Sequence, residues 1–344
     1  MRRVLLLFVM AVVVATIAWH PARVAVQTLL LLPALFPAAP LDPLGLLTPT
    51  PAQGQRTYAY AGGSVDAQLF EPAGGGRHGA IILLLGAGDL PRSDLAIHFA
   101  QTLARSGVVT LVPESSGMLQ ERLTFDEVDA VAQSVAQLRQ LPSVDQSRIG
   151  VVGLSASGGL GIVAAGQPVL RDQIRFVNSF GSFDDAASLL LDVASRSIVV
   201  DGVQQPWQPE QRTVDVVGNA LTDAGFSAAA RAELLSGTSR SRAEELIGSA
   251  APGALDGLAQ VSPTTYLSEI SAHLYLMHDL DDSFIPFTES RDLVARAPAG
   301  VVQRYTEFSI FAHVIPDRAV PWQTFLPDLW RLFWHVQAVL LEVL

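Results

Sequence analysis

One segment of the chain has residue types and spacing suited to nucleophilic catalysis. Residues 148–159 (RIGVVGLSASGG) place an apolar strand directly before a turn and a glycine-rich helix start. A serine on such a sharp turn projects its Oγ above a sheet, with backbone N–H groups facing the substrate. The turn requires small residues two before and two after the nucleophile, and Gly153 and Ser157 meet this requirement around Ser155. The chemistry indicated is attack by a serine hydroxyl on a carbonyl carbon.

The spacing of the turn leaves a second register open. The usual pattern is G-x-S-x-G, whereas this chain has G-x-S-x-S, so Ser157 could be the nucleophile in the frame that ends at Gly159. Because the predicted strand ends at Gly153 and a nucleophile normally follows two residues later, Ser155 is favoured over Ser157. The alternative without chemistry is a Gly/Ser loop that joins a strand to a helix.

The stretch from Val144 to Ser155 resembles a phrase of a known family. It is similar to D-x-x-R-I-x-V-x-G-x-S, which introduces the nucleophile in the dienelactone-hydrolase and carboxylesterase branch of the α/β-hydrolase superfamily. The resemblance extends over residues 56–344 in three short motifs. It implies an α/β fold with an eight-stranded, mostly parallel sheet, helices on both faces, and a Ser-His-Asp triad that needs no metal or organic cofactor.

The second motif contains three acids in residues 274–286. It resembles the superfamily phrase H-G-x-x-D-x-x-V-P, in which Asp282, four residues before Pro286, matches the acid that orients the histidine. A carboxylate at the end of a strand can accept the imidazole N–H and stabilise the imidazolium. Asp279 replaces the usual glycine, and we expect Asp279 and Asp281 on the solvent side of the loop. The alternative is a solvated loop or a Ca²⁺ site formed by the acids.

The third motif contains a histidine between the last predicted strand and the final helix. The resemblance implies that this residue, His313, is the general base, and the order Ser155, Asp282, His313 is that of the α/β-hydrolase fold. His278 is predicted to shape the turn that precedes Asp282.

The oxyanion hole is expected in the loop from Leu85 to Asp89, by resemblance to the H-G-x motif of the family, with Leu85 in place of the histidine. The donors would be the backbone N–H groups of Ala87 and Ala156, each worth about 10²–10³ in turnover. The glycine-rich loop is also reminiscent of a phosphate cradle, but no G-K-[ST] or G-x-G-x-x-G phrase follows the strand.

From Gln55 onward, short apolar strands alternate with amphipathic helices, a pattern typical of a mainly parallel sheet with helices on both faces. The predicted strands are residues 56–60, 65–70, 80–85, 108–113, 148–153, 174–180, 273–277 and 302–308. No strand is predicted from Asp184 to Ser262, where short helices cover 185–194, 214–224, 228–235 and 242–250. Because ligands bind at the carboxyl edge of such sheets, residues 185–262 are predicted to form a helical cap over that edge.

Composition excludes several function classes. The formal net charge is −11 and Lys plus Arg total 22, without a basic cluster, so no nucleic-acid partner is expected. The chain has no cysteine, which excludes disulfides, thiolate zinc sites and thiol catalysis.

The N-terminal residues favour membrane attachment. In residues 1–23, two arginines precede an uncharged apolar run from Val4 to Trp19, which is between a signal-peptide core and a spanning helix in length. An uncleaved signal anchor is favoured over a cleaved signal peptide or a buried helix. Residues 24–54, apolar and proline-rich, are predicted to form an interfacial helix and a linker. The hydrolase domain, residues 55–344, is then expected on the extracytoplasmic side, anchored to the membrane or, as an alternative, secreted.

These features together predict a hydrolase of carboxylic esters that forms an acyl-enzyme on Ser155. The apolar cap helices and the aromatic segment from Trp322 to Leu344 hint at a lipophilic, small-molecule ester as substrate. The favoured interpretation of the segment itself is a last core helix that packs on the sheet. A peptidase, an acyltransferase or a C–C hydrolase could use the same triad. The alternative from another class is an inactive, hydrolase-like protein that binds a partner or lipid at the membrane.

Overall fold

The computed structural model describes residues 19–36, 42–88, 93–316 and 318–344. The predicted signal anchor therefore lies outside the described residues except for residues 19–23, as does Asp89, the last residue of the predicted oxyanion loop. Within these ranges, no helix has both the length and the apolar character needed to cross a bilayer.

Eight strands form one mixed sheet, as the sequence predicts. The strands of the chain are β1 (Ala52–Tyr60), β2 (Gly63–Glu71), β3 (His78–Leu84), β4 (Val109–Ser115), β5 (Val144–Leu154), β6 (Phe176–Phe180), β7 (Ser197–Val200), β8 (Val203–Pro206), β9 (His273–Asp279) and β10 (Val302–Phe308). The sheet order is β1-β2-β4-β3-β5-β6-β9-β10. Strand β2 is antiparallel to β1 and β4, and all other neighbours are parallel.

Helices cover both faces of this sheet. They are α1 (His20–Leu31), α2 (Pro43–Leu47), α3 (Asp94–Arg105), α4 (Ser116–Leu119), α5 (Asp126–Arg139), α6 (Ala156–Gly166), α7 (Ala186–Ser195), α8 (Gln211–Asp223), α9 (Ala228–Ser236), α10 (Arg240–Gly248), α11 (Pro252–Val261), α12 (Phe287–Arg296) and α13 (Trp322–Val343). Short 3₁₀ helices cover Leu32–Leu35 and Pro263–Glu269. Several helices begin at a side chain that accepts a hydrogen bond from their first-turn amides; these N-caps are Ser93, Asp185, Ser227 and Ser239.

The central strands are continuous apolar runs because both of their faces are covered. In β3, the side chains of Ile81, Ile82 and Leu83 are all buried. Ile82 belongs to a core shared with α5, α6 and α12, whereas Ile81 and Leu83 belong to a second core shared with α1, α3 and α13. The alternation of side chains along each strand thus fills two cores, one on each side of the sheet.

The cap contains a β-hairpin that the sequence prediction missed. Strands β7 and β8 pair antiparallel, with Val200 opposite Val203. Asp201 and Gly202 between them both have positive φ, 50° and 79°, as a two-residue hairpin turn requires. An Asp-Gly pair between valine-rich segments is a strong hairpin signal, so the prediction of a strandless cap was wrong for a reason visible in the sequence. Helix α11 was also not predicted.

The segment predicted to be an interfacial helix and linker instead packs on the domain. Val24 and Leu31 of α1 and Leu44 of α2 are buried in the core that includes α13. Their burial follows from the helical spacing of the apolar residues, which places Val24 and Leu31 on one face of α1. Strand β1 begins at Ala52, so the sheet starts before the predicted domain boundary at residue 55.

Candidate active site

Ser155 lies on a sharp turn between β5 and α6, as the sequence predicts. Its backbone has φ 59° and ψ −144°, a conformation uncommon for a residue with a side chain. The Ser155 amide donates to the carbonyl of Phe180 at 2.8 Å, which fixes the turn against β6. A Cβ atom on Gly153 would be 2.5 Å from the Cα of Gly158, so the turn has no room for a side chain at residue 153.

The structure separates the two candidate serines. Ser155 lines a cavity under the cap together with His313. Ser157, although only two residues later, is buried, and its hydroxyl donates to the carbonyl of Leu85 at 3.2 Å. Of the two, only Ser155 is among the described residues that line the cavity. The serine that replaces the usual glycine thus ties the turn to the end of β3, and the geometry favours Ser155 as nucleophile.

His313 lies at the tip of a tight turn that follows β10. Ala312 and Ile315 pair across this turn through hydrogen bonds of 2.8 and 3.1 Å, and His313 has φ 59°. The imidazole stacks on the ring of Phe284, with 4.7 Å between centroids, and its Nδ1 lies 2.6 Å from Oδ2 of Asp282. Because a carboxylate only accepts, Nδ1 carries the proton of the neutral ring. Nε2 is buried without a hydrogen-bond partner among the described residues and can act as a base.

Asp282 is held as an ionised carboxylate. Its Oδ1 accepts from the amides of Phe284 and Ile285 at 2.7 and 3.0 Å, and His278 Nε2 lies 3.4 Å from Oδ2. Burial by itself would raise the pKa of Asp282, but the charges of His313 and His278 and the hydrogen bonds from these two side chains outweigh burial and hold the pKa well below its usual range. His278 also lies 2.9 Å from the carbonyl of Ile285, so it shapes the acid loop, as predicted.

The two neighbouring acids differ from each other. Asp281 is exposed and forms an ion pair with Arg318 at 2.5 Å, in agreement with the expected solvent side. The same expectation is wrong for Asp279, which is fully buried and accepts from the amide of Phe311 at 2.9 Å. As the last residue of β9, Asp279 faces the start of the histidine loop; burial raises its pKa to about 6. No cluster of histidines and acids able to hold a metal is found within the described ranges.

Both predicted oxyanion donors belong to residues of the same cavity. Gly86 and Ala87 follow β3, and a Cβ atom on Gly86 would be 3.1 Å from the Cβ of Ser155. Ala156 is the first residue of α6, where an amide has no acceptor within its helix. The elements therefore bring together Ser155, His313, Ala87 and Ala156, with Asp282 behind the histidine. The role of each residue remains a prediction.

The cavity beneath the cap has a volume of about 110 Å³ and a predominantly apolar lining. Its apolar residues from the β6–α7 connection and the cap are Phe183, Ala186, Leu189, Leu190, Val216, Val217, Ala220, Leu221, Leu258 and Val261. Polar side chains are few: besides Ser155 and His313, the described lining contains Arg212 and Thr213 and no acid. Such a lining favours an apolar ligand group.

A short cap segment around the start of α8 supports the acid loop. The indole Nε1 of Trp207 donates to the carbonyl of Asp282, and the hydroxyl of Thr213 donates to the carbonyl of Phe284, both at 2.9 Å. The amide of Glu210 donates to the carbonyl of Ser283 at 2.8 Å. Sequence reasoning missed these residues, and no motif marks them, because two of their partners lie 75 and 71 positions later in the chain.

The sheet order, the serine turn after β5 and the histidine loop after β10 define an α/β-hydrolase fold. The structure is similar to that of 2,6-dihydroxy-pseudo-oxynicotine hydrolase (TM-score 0.56, 16% identity, covering 85% of this chain and 69% of that chain). It is also similar to a puromycin-hydrolyzing peptidase of Mycobacterium tuberculosis (TM-score 0.54, 16% identity, 83% and 39%) and to Est1E from Butyrivibrio proteoclasticus (TM-score 0.52, 13% identity, 84% and 98%).

These similarities confirm the resemblance to the α/β-hydrolase superfamily at the level of the fold. The chain spans about two fifths of the length of the peptidase. No protein-family model matches the sequence, and no curated protein matches it. Since the neighbours include a pseudo-oxynicotine hydrolase, a peptidase and Est1E, the bond that this chain cleaves has to be argued from its own site.

Proposed function

We propose that the protein is a serine hydrolase that cleaves carboxylic esters. Ser155 Oγ attacks the ester carbonyl carbon while His313 Nε2 takes its proton, and the alcohol leaves with that proton. Water then attacks the acyl-enzyme, again giving a proton to His313, and releases the acid and Ser155. The observation that carries the proposal is the imidazole itself. It is bonded through Nδ1 to Asp282, its Nε2 has no hydrogen-bond partner among the described residues, and the residue lines the same cavity as Ser155.

The lining favours an ester over a peptide. A peptide brings an N–H and a C=O for each residue, and burying such groups without hydrogen bonds costs about 1–3 kcal/mol each in proteins. Apart from Ser155 and His313, the polar side chains of the described lining are Arg212 and Thr213. Both already bond to backbone carbonyls, of Ala87 and Phe284 respectively. The buried group of the substrate is therefore best an alkyl or aryl group.

The volume of the cavity limits the length of that group. A protein cavity of about 150 Å³ with an apolar lining holds benzene, so a cavity of about 110 Å³ suits a short acyl chain. Each methylene that becomes buried contributes about 0.8 kcal/mol, or roughly a fourfold gain in kcat/KM. We expect kcat/KM to rise from acetate to butyrate and to fall again for chains of twelve carbons or more.

Two measurements on purified protein test the proposal. A fluorophosphonate probe should label the protein at Ser155, and Ser155→Ala should abolish labelling. p-Nitrophenyl esters from acetate to palmitate should be hydrolysed with the length profile given above, while the matched p-nitroanilides should react far more slowly. Equal rates for esters and anilides would favour a peptidase. Absence of labelling would favour an inactive, hydrolase-like protein.

A further inference from the structure

Arg212 joins the cap to the predicted oxyanion loop. It is the second residue of α8, and its guanidinium Nη2 donates to the carbonyl oxygen of Ala87. Its Nε lies 3.1 Å from Oε1 of Glu121, and Arg212 lines the same cavity as Ser155. A charged side chain of the cap thus bonds directly to the residue whose amide is predicted to bind the oxyanion.

Gly88, next to Ala87, leaves the space that the Arg212 guanidinium occupies. It has φ 93°, and a Cβ atom at residue 88 would lie 1.9 Å from Nη2 of Arg212. Its amide donates to the carbonyl of Met118 at 2.8 Å. The loop after β3 is therefore held from two sides, by the guanidinium from the cap and by the Met118 carbonyl of α4, and only glycine leaves room for both contacts.

Glu121 in turn fixes the guanidinium. It is one of few non-glycine residues with positive φ in the described part of the chain, at 56°, a class that also includes Ser155 and His313. Its carboxylate pairs with Arg212, and its carbonyl accepts from the side chain of Asn219 at 3.2 Å. With N–H groups committed to Ala87 and Glu121, the guanidinium is placed to orient the loop.

We propose that Arg212 is a positioning residue that holds the amide of Ala87 in the oxyanion hole, so that full activity requires this contact between the cap and the loop after β3. The inference rests on the proposed function. The hydrogen bond to the Ala87 carbonyl restricts rotation of the Ala87 backbone, and the Ala87 amide is the predicted donor to the oxyanion. Loss of an oxyanion donor costs about 10²–10³ in turnover, and a misplacement of about 1 Å costs about 10².

The test compares Arg212, which lies on α8, with Arg122, which pairs with α8 from outside. Arg212→Met removes the hydrogen bond to Ala87. Arg122→Met removes only the ion pair between Arg122, which follows α4, and Asp223, the last residue of α8. For p-nitrophenyl butyrate, we expect Arg212→Met to lower kcat about 10–100-fold with KM within about twofold. Arg122→Met should keep kcat within about twofold, since surface ion pairs contribute little.

An inhibitor separates positioning from a general loosening of the cap. A trifluoromethyl ketone with the same acyl chain forms a tetrahedral oxyanion on Ser155, so its affinity should fall in Arg212→Met by the same factor as kcat/KM. Arg212→Lys, which keeps the charge but lacks the planar fork, should have an intermediate kcat and serves if the Met variant is unstable.

The outcomes distinguish the two proposals. Normal kcat in Arg212→Met, an equal loss in Arg122→Met, or a loss confined to KM would overturn the role of Arg212 while the proposed function stands. A wild-type protein that fluorophosphonate does not label at Ser155 would overturn both.

Discussion

Asp282→Asn is the substitution whose effect the structure determines most directly. Asp282 Oδ1 accepts from two backbone amides, so the oxygen of an asparagine has to stay there and its NH₂ group has to face Nδ1 of His313. The ring must then accept at Nδ1 and carry its proton on Nε2, where it cannot take the proton of Ser155. We expect kcat to fall about 10⁴-fold, equivalent to about 5.4 kcal/mol in activation free energy. Both hydrogen bonds from the backbone amides remain, so the variant should still fold, but its melting temperature should fall because it loses a carboxylate whose pKa is lowered by folding.

The neighbouring acids provide the controls. Asp281→Asn should keep kcat within about twofold, because Asp281 is exposed and pairs only with Arg318. Asp279 accepts from two amides, of Asp281 and Phe311, with separate oxygens. Asp279→Asn leaves one of these amides facing an NH₂ group, which costs about 1–3 kcal/mol of stability.

The assay is turnover of p-nitrophenyl butyrate together with the melting temperature of each variant, with and without EDTA. More than a tenth of wild-type kcat in Asp282→Asn would refute the tautomer argument. Equal damage from the substitutions at Asp279, Asp281 and Asp282, or chelator sensitivity of the wild-type protein, would favour the Ca²⁺ site instead.

Three further predictions follow from buried contacts. Ser157→Ala removes the hydroxyl that bonds to the Leu85 carbonyl, so it should cost about 1–3 kcal/mol in urea unfolding yet keep more than a tenth of kcat; an inactive variant would support the other register. Burial raises the pKa of Glu289 to about 8, so the folded state binds a proton that the unfolded state releases near pH 4.3, and stability is lost as pH rises towards 8. The melting temperature of Glu289→Gln should therefore rise relative to that of wild type between pH 5 and 9, at about 1.5 °C per kcal/mol for a chain of this length, and a constant difference would contradict this. A chain that begins at Trp19 should have the melting temperature of the full-length protein, whereas one that begins at Pro51 should melt well below it, because α1 and α2 are buried in the core. Sedimentation of only the full-length protein with membranes would support the predicted anchor.

The fold and the site were predictable where a short stretch of sequence determines them. Strand, turn and helix around Ser155 are consecutive, and the required small residues are local. Apolar runs such as β3 and β5 indicated a sheet covered on both faces. The chain order of Ser155, Asp282 and His313 is that of the α/β-hydrolase fold, and it predicted that the three residues meet at the carboxyl edge of the sheet.

What the sequence did not reveal depends on contacts between distant residues. Whether Asp279 faces solvent or Phe311 depends on the packing of β9 beside β10, and the two residues are 32 positions apart. The bond from Arg212 to Ala87 spans 125 positions, and no local pattern indicates it. The hairpin at Asp201 is different, because its turn residues Asp201 and Gly202 are adjacent and form a local hairpin signal.

The contact between α1 and α13 has a consequence for biosynthesis. The side chain of Gln337 donates to the carbonyl of Pro21 across 316 positions, and Val24 shares a core with Val339 and Leu340. The part of this sheet face that α13 covers therefore stays exposed on the ribosome until α13 has emerged, and the nascent chain presents apolar surface during that time. Cells that make this protein are expected to depend on chaperones that hold the chain until its two distant helices meet.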